Sequence, residues 1–425
     1  MATAIAFFTS LVVGLPIFIT LLLGTIIFLW DSDLAVLLES LPTQLHGSLN
    51  KNGLLAIPLF MLVGELMNRG GLTKKLMNTA DIFVGGFRGG LAYVNLLTNA
   101  MAASILGSAT AQISVMTRLM VPTMVEKGYS KEFSASVTMA GGLLGPIIPP
   151  SMLMIIYGVI AYQPISELFI AGILPGLLII SGFACVIAIT GILNELPKGE
   201  HLKHKSIRSD LLNGLIPGII PIVVIVCIIS GVMTPTESGA VASIIALFVS
   251  VFVYKTISFR DIPEIFANVA LNTATITGLI AAASLFGWAL SFEGIPDQLV
   301  EYITTITDSP ITFLLLTYLL LIVLGMFLES ISVMIVIVPV LLPAAITFGI
   351  DPIHLGVIVS LATLIGIVTP PVGTGLYITM TATGLTMGSL FKALTPFLVS
   401  IILSMLVIAF VPEISLWLPN MMHNS

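Results

Sequence analysis

Apolar residues run in stretches of about 20 from one end of the chain to the other, the length that crosses about 30 Å of hydrocarbon. These stretches predict membrane-spanning helices near residues 5–30, 166–193, 213–233, 237–254 and 268–291. Amphipathic stretches lie between them, at 34–50, 258–269 and 295–306. They predict either helices along the membrane interface or ordinary loops packed on helix ends. The pattern is that of an all-α polytopic membrane protein.

Two longer segments, 89–125 and 311–347, each begin and end on the same side of the membrane by the distribution of charges. Small and polar residues lie in the middle of each, in "LGSATAQ" (106–112) and "GMFLES" (325–330). Non-helical backbone at that depth is tolerated only inside protein or facing water. Each segment is therefore either two spans or a re-entrant helical hairpin.

Two further apolar runs contain a double proline where a helix would otherwise continue, in "GGLLGPIIPPSM" (141–152) and "ATLIGIVTPPVG" (362–373). A proline inside a helix donates no N–H and clashes with the preceding turn, and a second one pushes its predecessor out of the α region. The sequence therefore predicts broken helices over 131–162 and 352–384.

Composition and charge disfavour two classes of protein, those that bind nucleic acid and enzymes. Of 425 residues, 57% are hydrophobic and 8% are charged, against about 25% charged in soluble domains. The net charge of −6 is spread out, which excludes nucleic acid as a partner. Two cysteines give no disulfide framework, and no H-E-x-x-H motif or P-loop is present. An enzyme is therefore disfavoured, and ATP is not hydrolysed by this chain.

The basic residues predict the orientation in the membrane. The most basic loop, 197–210, is placed in the cytoplasm by the positive-inside rule. Counting spans in both directions from it puts the N-terminus in the cytoplasm and the C-terminus outside. The first apolar run lacks a basic leader region and a cleavage site, which predicts a retained helix rather than a signal peptide.

A single constant offset in residue number aligns the two halves of the chain. The aligned pairs are Pro122 with Pro343, Gly128 with Gly349, Gly145 with Gly366, Pro149–Pro150 with Pro370–Pro371, and Pro175 with Pro396. By the charges, the first copy begins inside and the second outside. This is the inverted repeat of many secondary transporters, in which broken helices from both halves meet near the midplane. We expect repeat halves at 1–194 and 213–425, joined by a basic cytoplasmic linker at 195–212.

The breaks predict cation sites. Carbonyl groups freed by the prolines are costly in hydrocarbon unless something binds them, and sodium is a hard cation that suits carbonyl and hydroxyl oxygens. The freed carbonyls lie at 145–149 and 366–369. Side-chain oxygens that could join them belong to Ser151, Thr369, Ser104, Ser108, Thr110, Glu329, Ser330 and Ser332. One double proline alone would favour a packing kink, but two at matched positions favour binding.

The hairpins "SILGSATAQ" and "GMFLES" and the breaks "GPIIPPS" and "GIVTPPVGTGLY" together resemble the large membrane subunit of TRAP (tripartite ATP-independent periplasmic) transporters, over nearly the whole length. Within the family the chain looks closest to the sialic-acid branch. The resemblance favours hairpins over paired spans. It implies an elevator-type, sodium-driven importer of organic acids in the bacterial inner membrane. It also implies a small four-helix membrane subunit and a soluble periplasmic substrate-binding protein.

The resemblance also implies where sodium binds, between each hairpin tip and its broken helix, with substrate between the two sites. By this resemblance, the residues that bind one ion are Ser104, Gly107, Ser108, Thr110, Gly145 and Pro149. Those that bind the other ion are Gly325, Glu329, Ser330, Gly366 and Thr369. Ser151, Thr374 and Arg118 are weaker candidates for contact with the substrate.

Ionisable residues in membrane segments are candidates for function. Arg118 lies about ten residues past the hairpin tip, roughly 15 Å at helical rise, where an arginine snorkels to the interface. Glu65 and Arg69 are four residues apart and should pair with each other. Glu237 should act as a charge at a helix N-terminus.

Two rival functions fit parts of the pattern. A channel can also contain broken helices in its selectivity filter, although an inverted repeat with two ion-like sites favours alternating access. A sodium–dicarboxylate symporter of the same architecture, working without a binding protein, is the other alternative.

Overall fold

The computed structural model describes residues 13–193 and 207–423, together with residues 3, 6, 7, 9, 10, 196, 197 and 199. Residues 195, 198 and 200–206 of the predicted basic linker lie outside the described residues. The described chain is helical and contains no strand. Six of its helical segments are long and apolar enough to cross a membrane, or up to eight if two sharply bent pairs each count as one span. The predicted all-α polytopic fold is confirmed.

The described helices before residue 195 are α1 (Ile17–Asp31), α2 (Leu41–Leu49), α3 (Ala56–Arg69), α4 (Leu72–Val84), α5 (Gly90–Leu106), α6 (Ala109–Glu126), α7 (Lys131–Gly142), α8 (Met152–Ala161), α9 (Ile165–Ala171) and α10 (Ile173–Leu193). Short 3₁₀ turns at Ala35–Ser40 and Asn52–Leu55 flank α2.

The helices that follow residue 206 are α11 (Ile207–Ile229), α12 (Pro235–Phe248), α13 (Ile262–Phe292), α14 (Ile295–Ile306), α15 (Pro310–Gly325), α16 (Ser330–Thr347), α17 (Pro352–Gly366), α18 (Thr374–Thr383), α19 (Met387–Phe410) and α20 (Glu413–His423). A π-helical turn, Val249–Val253, extends α12.

Helices α1–α4 and α11–α14 form what we call the framework. Within it α3 packs on α12 and α13, α4 packs on α11, and α1 packs on α13. Two local predictions are confirmed here. Arg69 Nε lies 2.6 Å from Glu65 Oε1, and Glu237 forms a capping box with Thr234, whose N–H donates to Glu237 Oε2 at 2.8 Å.

Two predictions about the framework are wrong. The first span is not one helix from residue 5, because a left-handed Gly14 (φ 82°) and Pro16 precede the start of α1 at Ile17. The stretch 258–269 does not form a separate interfacial helix, because α13 runs unbroken for 31 residues. Its proline, Pro263, occupies the first turn, where a missing N–H costs no hydrogen bond. By contrast, 295–306 is a separate helix, bent by 113° from α15.

Helices α5–α10 and α15–α20 form what we call the hairpin domain. The connection between α5 and α6 is two residues long, and that between α15 and α16 is four. No helix is assigned over 143–151 or 367–373, where the double prolines lie. The two predicted hairpins and the two predicted breaks are therefore confirmed. The repeat keeps its register closely, since α6 (109–126) and α16 (330–347) begin and end at positions that the constant offset aligns.

The two halves of the hairpin domain pack on each other reciprocally. The second arm of the first hairpin, α6, packs on α18, the helix after the second break. The second arm of the second hairpin, α16, packs on α8, the helix after the first break. Such an exchange of equivalent contacts is expected of two halves related by a two-fold axis. It brings both hairpin tips and both breaks to one place in the molecule.

Candidate functional site

The tip of the first hairpin lies directly on the first break. Gly107 ends α5 in the left-handed region, at φ 60°, a conformation that a residue with a Cβ rarely adopts. A Cβ at this position would lie 3.5 Å from the backbone nitrogen of Met152, the first residue of α8. The turn of the hairpin therefore contacts the start of the helix that follows Pro149–Pro150.

The second hairpin approaches the second break even more closely. A Cβ on Gly366 would lie 2.5 Å from the Cα of Gly325, so the two backbones meet where neither has a side chain. The N–H of Gly373 donates to the carbonyl of Met326 at 3.2 Å, which ties the far end of the break to the hairpin tip. Both tips are thus held against the backbone at the edges of the two breaks.

A cavity of about 20 Å³ lies where the two tips and the two breaks meet. We call it the junction cavity. The polar side chains on its wall are those of Ser108, Thr110, Glu329 and Ser330. Pro146 and Ile367, one from each break, also line it. A cavity needs about 10–15 Å³ to hold one water molecule, so this one has room for one occupant of that size.

Two hydroxyl groups near the junction cavity donate their protons to backbone carbonyls beside the second break. Thr369 donates to the carbonyl of Ile365 at 2.6 Å, and Ser330 donates to that of Thr363 at 3.3 Å. A hydroxyl that donates its proton still has lone pairs for a cation or a donor. These side chains therefore bind the local backbone without using up their oxygens.

Ser151, predicted as a possible contact with the substrate, makes hydrogen bonds within the first break. Its hydroxyl donates to the carbonyl of Pro146, on the other side of the first break. Its oxygen also caps α8 by accepting from the backbone N–H of Met154 at 3.3 Å. The side chain is fully buried, so it fixes the shape of the break from within.

The remaining predicted residues are distributed as follows. Ser108 caps α6, and its hydroxyl lies 3.2 Å from that of Thr110. Ser104 and Pro149 both line a separate apolar cavity of about 490 Å³. Arg118 is exposed on α6 and lines none of these cavities. Thr374, at the start of α18, has a buried hydroxyl that makes no hydrogen bond within the described part of the chain.

A larger cavity of about 440 Å³ separates the hairpin tips from the framework. We call it the central cavity. On the hairpin side its polar wall consists of Ser108, Thr110, Glu329 and Ser332. On the framework side polar residues come from α3 and α13, namely Glu65, Asn68, Asn268, Asn272 and Thr275. Ser108, Thr110 and Glu329 therefore line both the central cavity and the junction cavity.

The central cavity has one carboxyl side chain, that of Glu329, with no basic partner among the described residues. Glu329 and Glu65 are on its wall, and none of the described residues that line it is a lysine or an arginine. Arg69 is already paired with Glu65 at 2.6 Å and with Glu264 at 2.8 Å. An anion beside Glu329 would therefore bind more favourably together with a cation.

Sequence reasoning missed the framework side of the central cavity and one residue at the first break. Asn268 and Asn272 are four residues apart, so they share a face of α13, which is a signal that the sequence does contain. Gln112 is fully buried on α6, and its side-chain oxygen lies beside Gly145. A lone glutamine in a helix does not reveal which neighbours it faces.

Comparison with known proteins places these features in a family. The family described as "Tripartite ATP-independent periplasmic transporter, DctM component" matches residues 4–414. The sialic acid TRAP transporter large permease protein SiaM of Vibrio cholerae is 34% identical over 385 residues, which cover 89% of this chain and 88% of that protein. The C4-dicarboxylate TRAP transporter large permease protein DctM of Pseudomonas aeruginosa is 33% identical over 387 residues, 91% of each.

Among solved structures, the YdaH transporter of Alcanivorax borkumensis has the same fold. The match covers 92% of this chain and 90% of that one, with a TM-score of 0.69 and 13% sequence identity. These relatives are transporters rather than enzymes. The chain belongs to the DctM-component family of TRAP transporters and is a large membrane permease.

Proposed function

We propose that this chain is the transporting subunit of a sodium-driven importer that brings an organic acid across the bacterial inner membrane. The observation that carries the proposal is the junction cavity, where two hairpin tips and two helix breaks bring serine, threonine and glutamate oxygens around a space for one small occupant. Sodium suits such oxygens. The ions are part of the transported load, one between each tip and its own break, and the junction cavity is the space where these two sites adjoin.

The charge of the central cavity supports coupling between sodium and an acid. A carboxylate that enters beside the carboxyl group of Glu329 is repelled unless a cation is present, since the other glutamate on the wall, Glu65, is already paired with Arg69. Bound sodium would supply that charge, and the N-termini of α6 and α16 at the tips would add a positive potential. The acid and the ions would therefore bind together, which is the thermodynamic basis of symport.

The arrangement of the two cavities supports an elevator-type movement. The described residues that line the junction cavity all belong to the hairpin domain. The central cavity, by contrast, has one wall on the hairpin domain and the other on the framework. If the hairpin domain moves as one body across the framework, the ions travel with it and the acid is exposed alternately to each side.

The substrate class follows from the relatives and from the framework wall. One relative is named for sialic acid and another for C4-dicarboxylates, which share a carboxylate group. The amides of Asn68, Asn268 and Asn272 can donate to and accept from hydroxyl or carboxylate groups of a ligand. We expect a carboxylate with further polar groups, sialic acid being the first to test. A small four-helix membrane subunit and a periplasmic substrate-binding protein are the expected partners.

The test of this function is transport by the purified chain and its small subunit in sealed proteoliposomes. We expect uptake of the acid only with an inward sodium gradient and with loaded binding protein outside. Preloaded unlabelled acid should also drive counterflow of labelled acid. A channel cannot show counterflow, so its absence would contradict the proposal. Sodium-driven uptake without the binding protein would instead identify an independent symporter.

A further inference from the structure

Gln112 lies one helical turn beyond Ser108 on α6 and is fully buried. Its side-chain NH₂ group donates to the carbonyl oxygen of Asn99 at 2.7 Å, to the side-chain oxygen of Asn99 at 3.0 Å and to the carbonyl of Gly141 at 3.3 Å. Three acceptors surround this end of the amide. The nitrogen must therefore be here, and the oxygen must point the other way.

The neighbouring side chains keep this arrangement from reversing. The side-chain NH₂ of Asn99 donates to Asn95 Oδ1 at 2.7 Å, and that of Asn95 donates to Thr138 Oγ1 at 2.7 Å. The Thr138 hydroxyl gives its own proton to the carbonyl of Ser134 at 2.7 Å, so it can only accept from Asn95. The chain of amides is thus fixed in one direction, and it ends on the oxygen of Gln112.

That oxygen, Gln112 Oε1, accepts no hydrogen bond from any part of the chain that the structure describes. It lies at the first junction of hairpin and break. A Cβ on Gly145 would be 2.7 Å from it, and the same Cβ would be 3.5 Å from the backbone carbonyl carbon of Ser108. A buried carbonyl oxygen with no partner is costly, and a cation bound beside it would remove that cost.

We propose that Gln112 Oε1 is a ligand of the first cation. This inference rests on the proposed sodium coupling and adds a residue to that site. The position that matches Gln112 in the second half is Val333, which has no side-chain oxygen to offer. The second site has the carboxylate of Glu329 where the first has the hydroxyl of Ser108. The two sites therefore differ in chemistry, and the first is built around a neutral amide oxygen whose NH₂ group is held by Asn99 and Gly141.

The experiment compares sodium binding to four forms of the purified full-length chain in lipid nanodiscs. Sodium chloride is titrated against choline chloride at constant ionic strength, and binding is followed by calorimetry and by the rise in melting temperature. The variants are Gln112→Met and Gln112→Glu, each with the length of the parent side chain. The control is Thr117→Val. Thr117 lies on the same helix, more than two turns past the hairpin tip, and its buried hydroxyl also has no partner among the described residues.

Gln112→Met loses both the NH₂ donor and the oxygen, whereas Gln112→Glu keeps the oxygen and, as a buried carboxylic acid among three acceptors, replaces the NH₂ group by a single O–H donor. We expect sodium affinity to fall at least tenfold in Gln112→Met, to stay within threefold of the parent or to increase in Gln112→Glu, and to be unchanged in Thr117→Val. Equal losses in the two Gln112 variants would show that the donor matters rather than the oxygen and would overturn the proposal. Parent-like binding by Gln112→Met would also overturn it.

If Gln112→Met does not yield folded protein, Gln112→Asn takes its place, because the shorter side chain withdraws the oxygen from the junction. The same tenfold loss is expected, and parent-like binding would again overturn the proposal. A parent protein that binds no sodium above the choline baseline is a different result. It would contradict the proposed sodium coupling itself rather than the role of Gln112.

Discussion

Ser108 and Glu329 occupy the same position in two successive hairpins, aligned by the repeat and placed on the walls of the same two cavities. Each is the N-cap residue of the second hairpin arm. Ser108 accepts a capping hydrogen bond from Ala111 N at 3.5 Å, whereas the side chain of Glu329 makes none. The carboxylate is therefore not needed to cap its helix and is free to bind a cation.

The first prediction concerns this carboxylate. Glu329→Gln should raise the sodium concentration for half-maximal uptake roughly tenfold, because a charged oxygen contributes about 1.5 kcal/mol more than a neutral one. The protein should fold normally, since no capping bond is lost. Initial uptake rates against sodium concentration measure the effect. Glu301→Gln, at an exposed position on α14, is the matched control. A Glu329→Gln curve that coincides with that of the control would remove Glu329 from the site.

The second prediction concerns one hydroxyl in each half of the repeat. Ser108→Ala and Thr369→Ala should each weaken sodium binding without abolishing it, because the other ligands are backbone carbonyls that a side-chain change leaves in place. The expected loss is about 1–3 kcal/mol, or roughly a tenfold to hundredfold rise in the sodium required. Both changes should also lower the steepness of the sodium dependence. Curves identical to the parent's in both variants would mean that the hydroxyls are not ligands.

The third prediction concerns the first break. Replacing Pro149 and Pro150 by alanine should allow the helix to continue and its carbonyls to pair within it. We expect normal insertion into the membrane, measured by yield and gel filtration, with most sodium-driven uptake lost. Retained uptake with unchanged sodium dependence would show that the break is only a kink in the packing.

The fourth prediction uses the backbone contact at the second break. Gly366→Ala should lower the free energy of unfolding by about 1–3 kcal/mol, because its methyl group would overlap Gly325. Gly388→Ala is the control, since a Cβ there meets no atom of the described residues within 4 Å. The measurement is the melting temperature of each variant in the same lipid nanodiscs. Equal melting temperatures for the two variants would be inconsistent with a close contact at Gly325.

The sequence was sufficient to predict the hairpins, the breaks and their register, because proline acts locally on the backbone. Pro149–Pro150 and Pro370–Pro371 cannot continue a regular helix wherever they occur, and their matching positions reveal the repeat. Amphipathicity and apolar length did not show where two framework helices begin, because the effect of a proline depends on its position relative to the helix. Pro263 falls in the first turn of α13 and breaks nothing, whereas Pro16 falls immediately before α1 and shortens the predicted first span.

The sequence did not predict which side chains line the same cavity or contact each other, because these contacts depend on how helices distant in sequence pack together. Asn272 on α13 and Glu329 at the second hairpin tip line one cavity only because the framework and the hairpin domain meet there. Gln112 points at Gly145 because Asn99 holds its nitrogen, and this pairing joins the two arms of the hairpin. Hydrophobic periodicity along the sequence predicts neither the shared cavity wall nor the Gln112–Asn99 contact.

The central claim is that two cation sites in the hairpin domain drive the uptake of one acid. The most direct test is to measure labelled sodium and labelled acid together during uptake into proteoliposomes that contain the chain and its small subunit, with loaded binding protein outside. We predict that sodium and acid enter in a fixed ratio of two to one, and that a proton gradient without sodium moves neither. Acid uptake driven equally well by a proton gradient in the absence of sodium would contradict the account.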